Sequence, residues 1–321
     1  MPALTVQHPL PPSQDPDIRK LIVTWQNSLD LQTLGGEISY NTQQAYMRGF
    51  NRFLDWADDL YLDQVSPDVL RAWIADLRRR GYRPASVNAW LSGVRAFFAW
   101  AVASRRLTTN PVLGIRGVMR RGASRHHQRS ALTDQEVIRV LAQPDRTDPQ
   151  GRRDYAILCL MAYTAARQIE LYRSDLADLR TEAGHLVLRV QGKGRDDKDE
   201  VLVLANPDVE NAVHDWLAMR GNLPGPLFSS LSHHSDGERL SLRSIRRLVK
   251  NYYRAAGVHG EDKTTHSLRH SAITSAVRHG APVQKVRSMA RHASIDTTMI
   301  YFHEVDRVEN PAEAFIKYGE D

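Results

Sequence analysis

His185 to Leu204 reads HLVLRVQGKGRDDKDEVLVL, and this stretch decides the fold class because it interrupts a pattern that otherwise runs at helical spacing. HLVLRV at 185–190 and EVLVL at 200–204 are short, rich in valine and leucine, and joined by GKGRDDKD, a turn full of glycine and charge. They read as two strands. On the N-terminal side, residues 154–166 form a strongly apolar segment that predicts a buried helix. Before it, Thr133 and Glu136 make a Thr-x-x-Glu capping box ahead of Val137, Val140 and Leu141. On the C-terminal side, helices are expected over 207–220, 241–256, 266–279 and 282–291, with Gly280 placed for a left-handed C-terminal residue. The expected class is mainly α with a small antiparallel β-sheet.

The first hundred residues keep the helical period throughout. Ile18, Leu21, Ile22, Trp25 and Leu29 mark one apolar face, and Tyr46, Phe50, Phe53 and Leu54 a second. A third helix has Ser66 to cap it, Pro67 in its first turn and Gly81 to end it, burying Leu70, Trp73, Ile74 and Leu77. A fourth starts near Pro84 and carries Val87, Leu91, Val94 and Phe98. Four helices with short connections predict a small bundle whose tryptophans and phenylalanines are core. Arg71, Arg78, Arg79, Arg80 and Arg95 fall on its polar faces, available to nucleic acid.

With 321 residues, two domains are expected. A proline-rich tail covers 1–16, a helical domain 17–104, a basic linker 105–130 and a second domain 131–321. The linker holds Arg105, Arg106, Arg116, Arg120, Arg121, Arg125 and Arg129 with no Asp or Glu. Seven arginines without an acid in a compact connector point to phosphate contact, in line with a net charge of +6. Cys159 is the single cysteine and sits in an apolar run, which excludes an intramolecular disulfide and a thiolate metal site and predicts an inert thiol. No apolar run reaches the roughly 18 residues of a membrane span, and the N-terminus lacks a secretory pattern. A cytoplasmic, nucleoid-associated protein is expected.

Six residues stand out for chemistry. His266 and Arg269 lie three apart on one helix face, followed by His292 and Tyr301; Arg167 ends the apolar helix and Lys193 sits at the tip of the strand turn. Taken singly, each has an ordinary structural explanation. In this order they resemble the tyrosine recombinase, or phage-integrase, family. The first box of that family corresponds to Ala166-Arg167-Gln168-Ile169-Glu170-Leu171, its β-turn lysine to Lys193, and its His-x-Leu-Arg-His box to His266–His270. His292 follows Arg269 by 23 residues and Tyr301 follows His292 by 9, spacings similar to bacterial Xer-type members. Two positions depart from the pattern: Ala166 replaces a common leucine, and Arg291 replaces the glycine that usually precedes the third box's histidine.

The resemblance implies a C-shaped DNA clamp built from a helical core-binding domain and a catalytic domain. It implies a site-specific recombinase acting through a 3′-phosphotyrosyl intermediate and a Holliday junction. Tyr301 is the nucleophile, and a phenol, with a pKa of about 10, is also a tolerable leaving group. Arg167 and Arg269 clamp the phosphate, since planar guanidinium forks suit the charge that develops on its oxygens. Lys193 is the general acid for the leaving 5′-oxygen. His266 partners the tyrosine proton or a non-bridging oxygen, and His292 holds the phosphate and positions Tyr301. Glu170 reads equally as an orienting partner or a helix salt bridge, and His270 as structural. No cofactor and no metal is expected. The partner is double-stranded DNA carrying a specific site, with a tetramer on two sites. A monomer when free, and a partner recombinase or accessory proteins, stay open. So does docking of NPAEAFIKYGED, residues 310–321, on a neighbouring subunit or on its own domain. The rivals are a type IB-like topoisomerase and a non-catalytic DNA-binding protein. The reading favours Xer-like dimer or cointegrate resolution, or mobile-element integration and excision.

Overall fold

The computed structural model describes residues 18–57, 61–119, 131–192, 197–232 and 236–309. Lys193, the linker arginines 120, 121, 125 and 129, and the tail from 310 lie outside them. The chain forms two compact units, Met1–Ala123 and Ser124–Asp321.

The first unit holds helices α1 (Ile18–Leu34), α2 (Tyr40–Leu54), α3 (Pro67–Arg79) and α4 (Pro84–Ala103). Their ends follow local chemistry. The Ser39 and Ser66 hydroxyls accept from the amides of Thr42 (3.1 Å) and Val69 (3.3 Å), and Gly81 leaves α3 at φ +81°. The core is aromatic: Trp25 meets Phe50 and Phe97 edge-on at 5.2 and 5.3 Å, and Phe50 stacks on Phe97 at 3.8 Å. Two glycines let α2 and α4 cross closely. A Cβ at Gly93 would come within 2.2 Å of the Tyr46 carbonyl, and one at Gly49 within 2.4 Å of that of Trp90. Gly93→Ala improves helix propensity yet should destabilise this unit by about 3 kcal/mol, because backbone must move aside. Urea unfolding checks it, and a neutral or stabilising result would refute the close crossing.

The expected linker is partly built into this unit. Val112 and Ile115 are buried in its core, Asn88 exchanges hydrogen bonds with both backbone groups of Val118 (2.7 and 3.1 Å), and Arg95 donates to the Ile115 carbonyl at 2.7 Å. Most of the bundle's polar-face arginines are likewise engaged. Arg71 pairs with Asp68, Arg79 and Arg80 with Asp76, and Arg78 donates to the Tyr82 carbonyl. Such exposed pairs are weak and exchange readily.

The second unit runs α5 (Asp134–Leu141), α6 (Pro149–Thr164), α7 (Gln168–Arg173), strands β1 (Leu179–Glu182), β2 (His185–Val190) and β3 (Glu200–Val203), then α8 (Pro207–Arg220), α9 (Leu242–Ala255), α10 (Thr265–Arg278), α11 (Val283–Ala290) and α12 (Ile295–Glu309). The Thr133–Glu136 capping box forms, with bonds of 3.2 and 2.8 Å. Helix α6 begins five residues before the apolar run, since Asp148 caps it and Pro149 fills its first turn. The sheet is antiparallel in the order β1-β2-β3, so it has one strand more than the sequence suggested. Ala183 and Gly184, both at positive φ, turn β1 back onto β2.

Helix α6 runs through the main core, with Ile157, Leu158, Cys159 and Leu160 fully buried. Burial pushes the Cys159 thiol up to about 12, so it is a packing group. A smaller cluster of Ala165, Ile273, Val286 and Ala290 surrounds Tyr301. No helix among the described residues is long and apolar enough to cross a membrane.

Candidate active site

The site grows from the end of α6. Ala165 takes the left-handed conformation (φ +52°) and stops the helix, and the chain restarts at once with Arg167 as the residue capping α7. Glu170, one turn on, reaches back. One oxygen accepts the Arg167 amide at 2.7 Å and the other its guanidinium Nη1 at 2.6 Å. Glu170 thus pairs with Arg167, one turn before it at the start of α7. Arg167 Nη2 donates to the carbonyls of Ala290 (3.3 Å) and Arg291 (2.9 Å), where α11 ends.

Arg269 arrives from α10 and donates to the carbonyls of Ala165 and Ala290. Ala290 is thus a common acceptor for Arg167 and Arg269, which sets the two guanidiniums side by side. Burial lowers the Arg269 pKa first, and the charges of Arg167 and Arg291 lower it further. This concentration of positive charge suits an anion.

Arg291 also faces inward. Its backbone is left-handed (φ +52°), the conformation that explains why glycine is usual there. The side chain pairs with Glu170 at 2.9 Å and is only 4% exposed. It is thus turned onto a buried carboxylate. Glu170 itself is 1% exposed. Burial works to raise its pKa, but Arg291, the Arg167 amide and the Arg167 charge outweigh burial and leave it lowered, so the carboxylate stays ionised.

Tyr301 projects from α12 and is 2% exposed. Its hydroxyl hydrogen-bonds Nδ1 of His270, and the two rings lie 5.7 Å apart. His292 lies 6.1 Å from the tyrosine ring at 18° and is held by Thr298 Oγ1, 2.9 Å from its Nδ1. Thr298 is one helical turn before Tyr301, so α12 fixes both the tyrosine and its neighbouring imidazole. His266, half-buried in the first turn of α10, has its amide on the Thr264 hydroxyl at 3.2 Å and lies one turn before Arg269. The structure brings Arg167, Glu170, Arg269, His270, His292 and Tyr301 into one region of the second unit. Arg105, Arg106 and Arg116 are exposed on the first.

Sequence reasoning missed two features. His270, read from the sequence as structural although it belongs to the box, hydrogen-bonds the tyrosine hydroxyl. Helix α9, LRSIRRLVKNYYRA, exposes Arg243, Arg246, Arg247, Lys250 and Arg254 and carries no acid. Helical spacing applied to charge would have found that face. It adjoins the site, because Gln168 Oε1 accepts from both Arg246 Nε and Thr265 Oγ1 at 3.2 Å.

Comparison with known proteins identifies the family and the fold. Residues 130–307 match the phage integrase family, and residues 24–105 match the phage integrase N-terminal SAM-like domain. The chain is 30% identical to tyrosine recombinase XerC of Mycobacterium tuberculosis, across 83% of this chain and 88% of that protein. It is 26% identical to XerD of Listeria innocua, across 83% and 89%. In fold it is similar to XerH recombinase bound to a palindromic difH substrate (TM-score 0.71, 18% identity, 95% and 91% covered). It is also similar to a lambda integrase tetramer bound to a Holliday junction (TM-score 0.70, 17% identity, 90% and 78% covered). The chain belongs to the phage integrase family, the tyrosine recombinases. Within that class it is Xer-like, and its activity is site-specific recombination; the topoisomerase alternative finds no support.

Proposed function

We propose that the enzyme cuts double-stranded DNA at a specific site by joining Tyr301 to the 3′-phosphate, and reseals strands by the reverse step. The observation that carries this reading is the shared Ala290 carbonyl, which sets Arg167 and Arg269 together in the unit that holds the Tyr301–His270 pair. A guanidinium has five N–H donors, so main-chain carbonyls and Glu170 can fix each plane while other donors serve phosphate oxygens. As the phenolic oxygen bonds to phosphorus, its proton passes to Nδ1 of His270. The phosphorus–O5′ bond breaks, and Lys193 protonates the departing oxygen. His266 then serves a non-bridging oxygen, and His292 keeps Tyr301 in line. A 5′-hydroxyl from the partner duplex attacks the phosphotyrosine and displaces the phenol, so bond energy is conserved without ATP. Two such exchanges pass through a Holliday junction.

The remaining expectations extend this reading. Phosphates of the duplex are contacted by Arg105, Arg106, Arg116, Arg120, Arg121, Arg125, Arg129 and the exposed face of α9. Four copies assemble on two sites. The biological task is dimer or cointegrate resolution, or movement of a mobile element. The test is a nicked suicide substrate containing the cognate site, identified by sequencing the DNA that the protein enriches. A covalent adduct that maps to Tyr301 is expected. Specific binding without any adduct would overturn the catalytic reading.

A further inference from the structure

We propose that Arg291 is a positioning residue for strand cleavage: it fixes Glu170, and through Glu170 the Arg167 fork, while tying that carboxylate to Glu200 of β3. The inference rests on the reading of Arg167 as a phosphate-binding group.

Position 291 needs a left-handed backbone, which strains any residue carrying a Cβ. The contacts made by this side chain are ones that glycine cannot make. Arg291 Nη2 and Nε reach both oxygens of Glu170 at 2.9 and 3.3 Å. Its other donors meet the carbonyls of Met289 (2.6 Å) and Ala165 (2.9 Å), and the Ala165 carbonyl also receives Arg269. One guanidinium therefore braces the end of α6, the start of α7 and the end of α11, the three places that anchor Arg167 and Arg269.

A fourth element joins them. Glu200 Oε2 is buried and accepts no hydrogen bond among the described residues, and it lies 3.9 Å from Arg291 Nε. Gly192 packs against this carboxylate, since a Cβ there would stand 3.0 Å from it. Glu200 opens β3, the strand that follows Lys193 in the sequence. Two acids from separate elements thus face one cation. Without Arg291, Glu170 would face Arg167 from its own helix and Arg269 from α10, with the negative Glu200 toward β3 no longer screened. The carboxylate would bind protons more readily and hold the Arg167 fork less firmly.

The experiment measures single-turnover adduct formation by Arg291→Gly and Arg291→Lys on the suicide substrate from pH 5 to 9, scaled to the folded fraction, alongside DNA affinity. Arg291→Gly relieves the strained backbone. Its DNA affinity should be unchanged while cleavage slows by about 100-fold, the scale of a misplaced reacting group. Loss of the cation should also move the acid limb of its rate profile up by about one pH unit. Arg291→Lys restores the charge but not the fork and should recover about tenfold of that loss without the pH displacement. If Arg291→Gly fails to fold, Arg291→Lys decides alone, with a rate about tenfold below wild type expected. A wild-type rate and pH profile per folded molecule, in Arg291→Gly or, failing that, in Arg291→Lys, would overturn the proposal and leave Arg291 a stabilising residue only. A wild-type enzyme that forms no Tyr301 adduct would be a different failure, that of the phosphotyrosine reading itself.

Discussion

Tyr301→Phe is expected to abolish the covalent protein–DNA adduct, lowering cleavage by at least about 10⁴-fold, while specific DNA binding stays unchanged. The substitution removes one oxygen and leaves the ring in place beside His270 and His292, in a pocket where Tyr301 is 2% exposed. The cost in stability is the lost hydrogen bond to His270, about 1 kcal/mol. Gel separation of the adduct and a mobility-shift titration read the two effects separately. If binding fell along with cleavage, Tyr301 would be mainly structural. His270→Gln makes the companion test. With the hydroxyl kept and its proton acceptor gone, cleavage should slow by roughly 10² to 10³-fold. An unchanged rate would return the proton to His266.

Glu170→Ala should destabilise the second unit by about 3–5 kcal/mol, the range for breaking a buried ion pair, and should abolish cleavage as well. Glu170 is 1% exposed and holds Arg167 at 2.6 Å and Arg291 at 2.9 Å. Its removal strands three guanidiniums in one place, with Glu200 the nearby acid that remains, 3.9 Å from Arg291. The pH dependence has a definite sign. The Glu170 pKa lies below its ordinary value of 4.5, so its contribution is complete above that value and disappears as pH falls through the lowered one. Wild type and variant should therefore differ most near neutrality and converge in acid. Calorimetric melting across pH 3–7 measures this, and a constant difference would mean that the Glu170 charge does not supply the stability.

Much of this was legible in the sequence because it follows local rules. Ser66-Pro67 and Thr133-x-x-Glu136 announce helix starts through bonds within four residues, and the alternation around β2 announces a strand. β1 escaped because LRTE has a single apolar residue and lies mostly exposed at the sheet edge, where periodicity carries no signal. The early start of α6 escaped because its first turn, PQGRR, is polar and only Asp148 marks it. Order and spacing carried the family reading, whereas the wiring among Arg167, Glu170, Arg269, His270 and Tyr301 was not legible. That Arg291 turns inward and that His270 meets the tyrosine hydroxyl depend on how α10, α11 and α12 pack, which no local pattern encodes.

The carbonyls that align the two arginines belong to Ala165, Ala290 and Arg291, so the anchors are oxygens present at every position of any polypeptide. Side chains at 165 and 290 can drift through alanine, serine or glycine without touching an acceptor. What the two guanidiniums depend on there is the route of the main chain. At these anchors the arrangement is specified by the course of the backbone more than by the letters written along it.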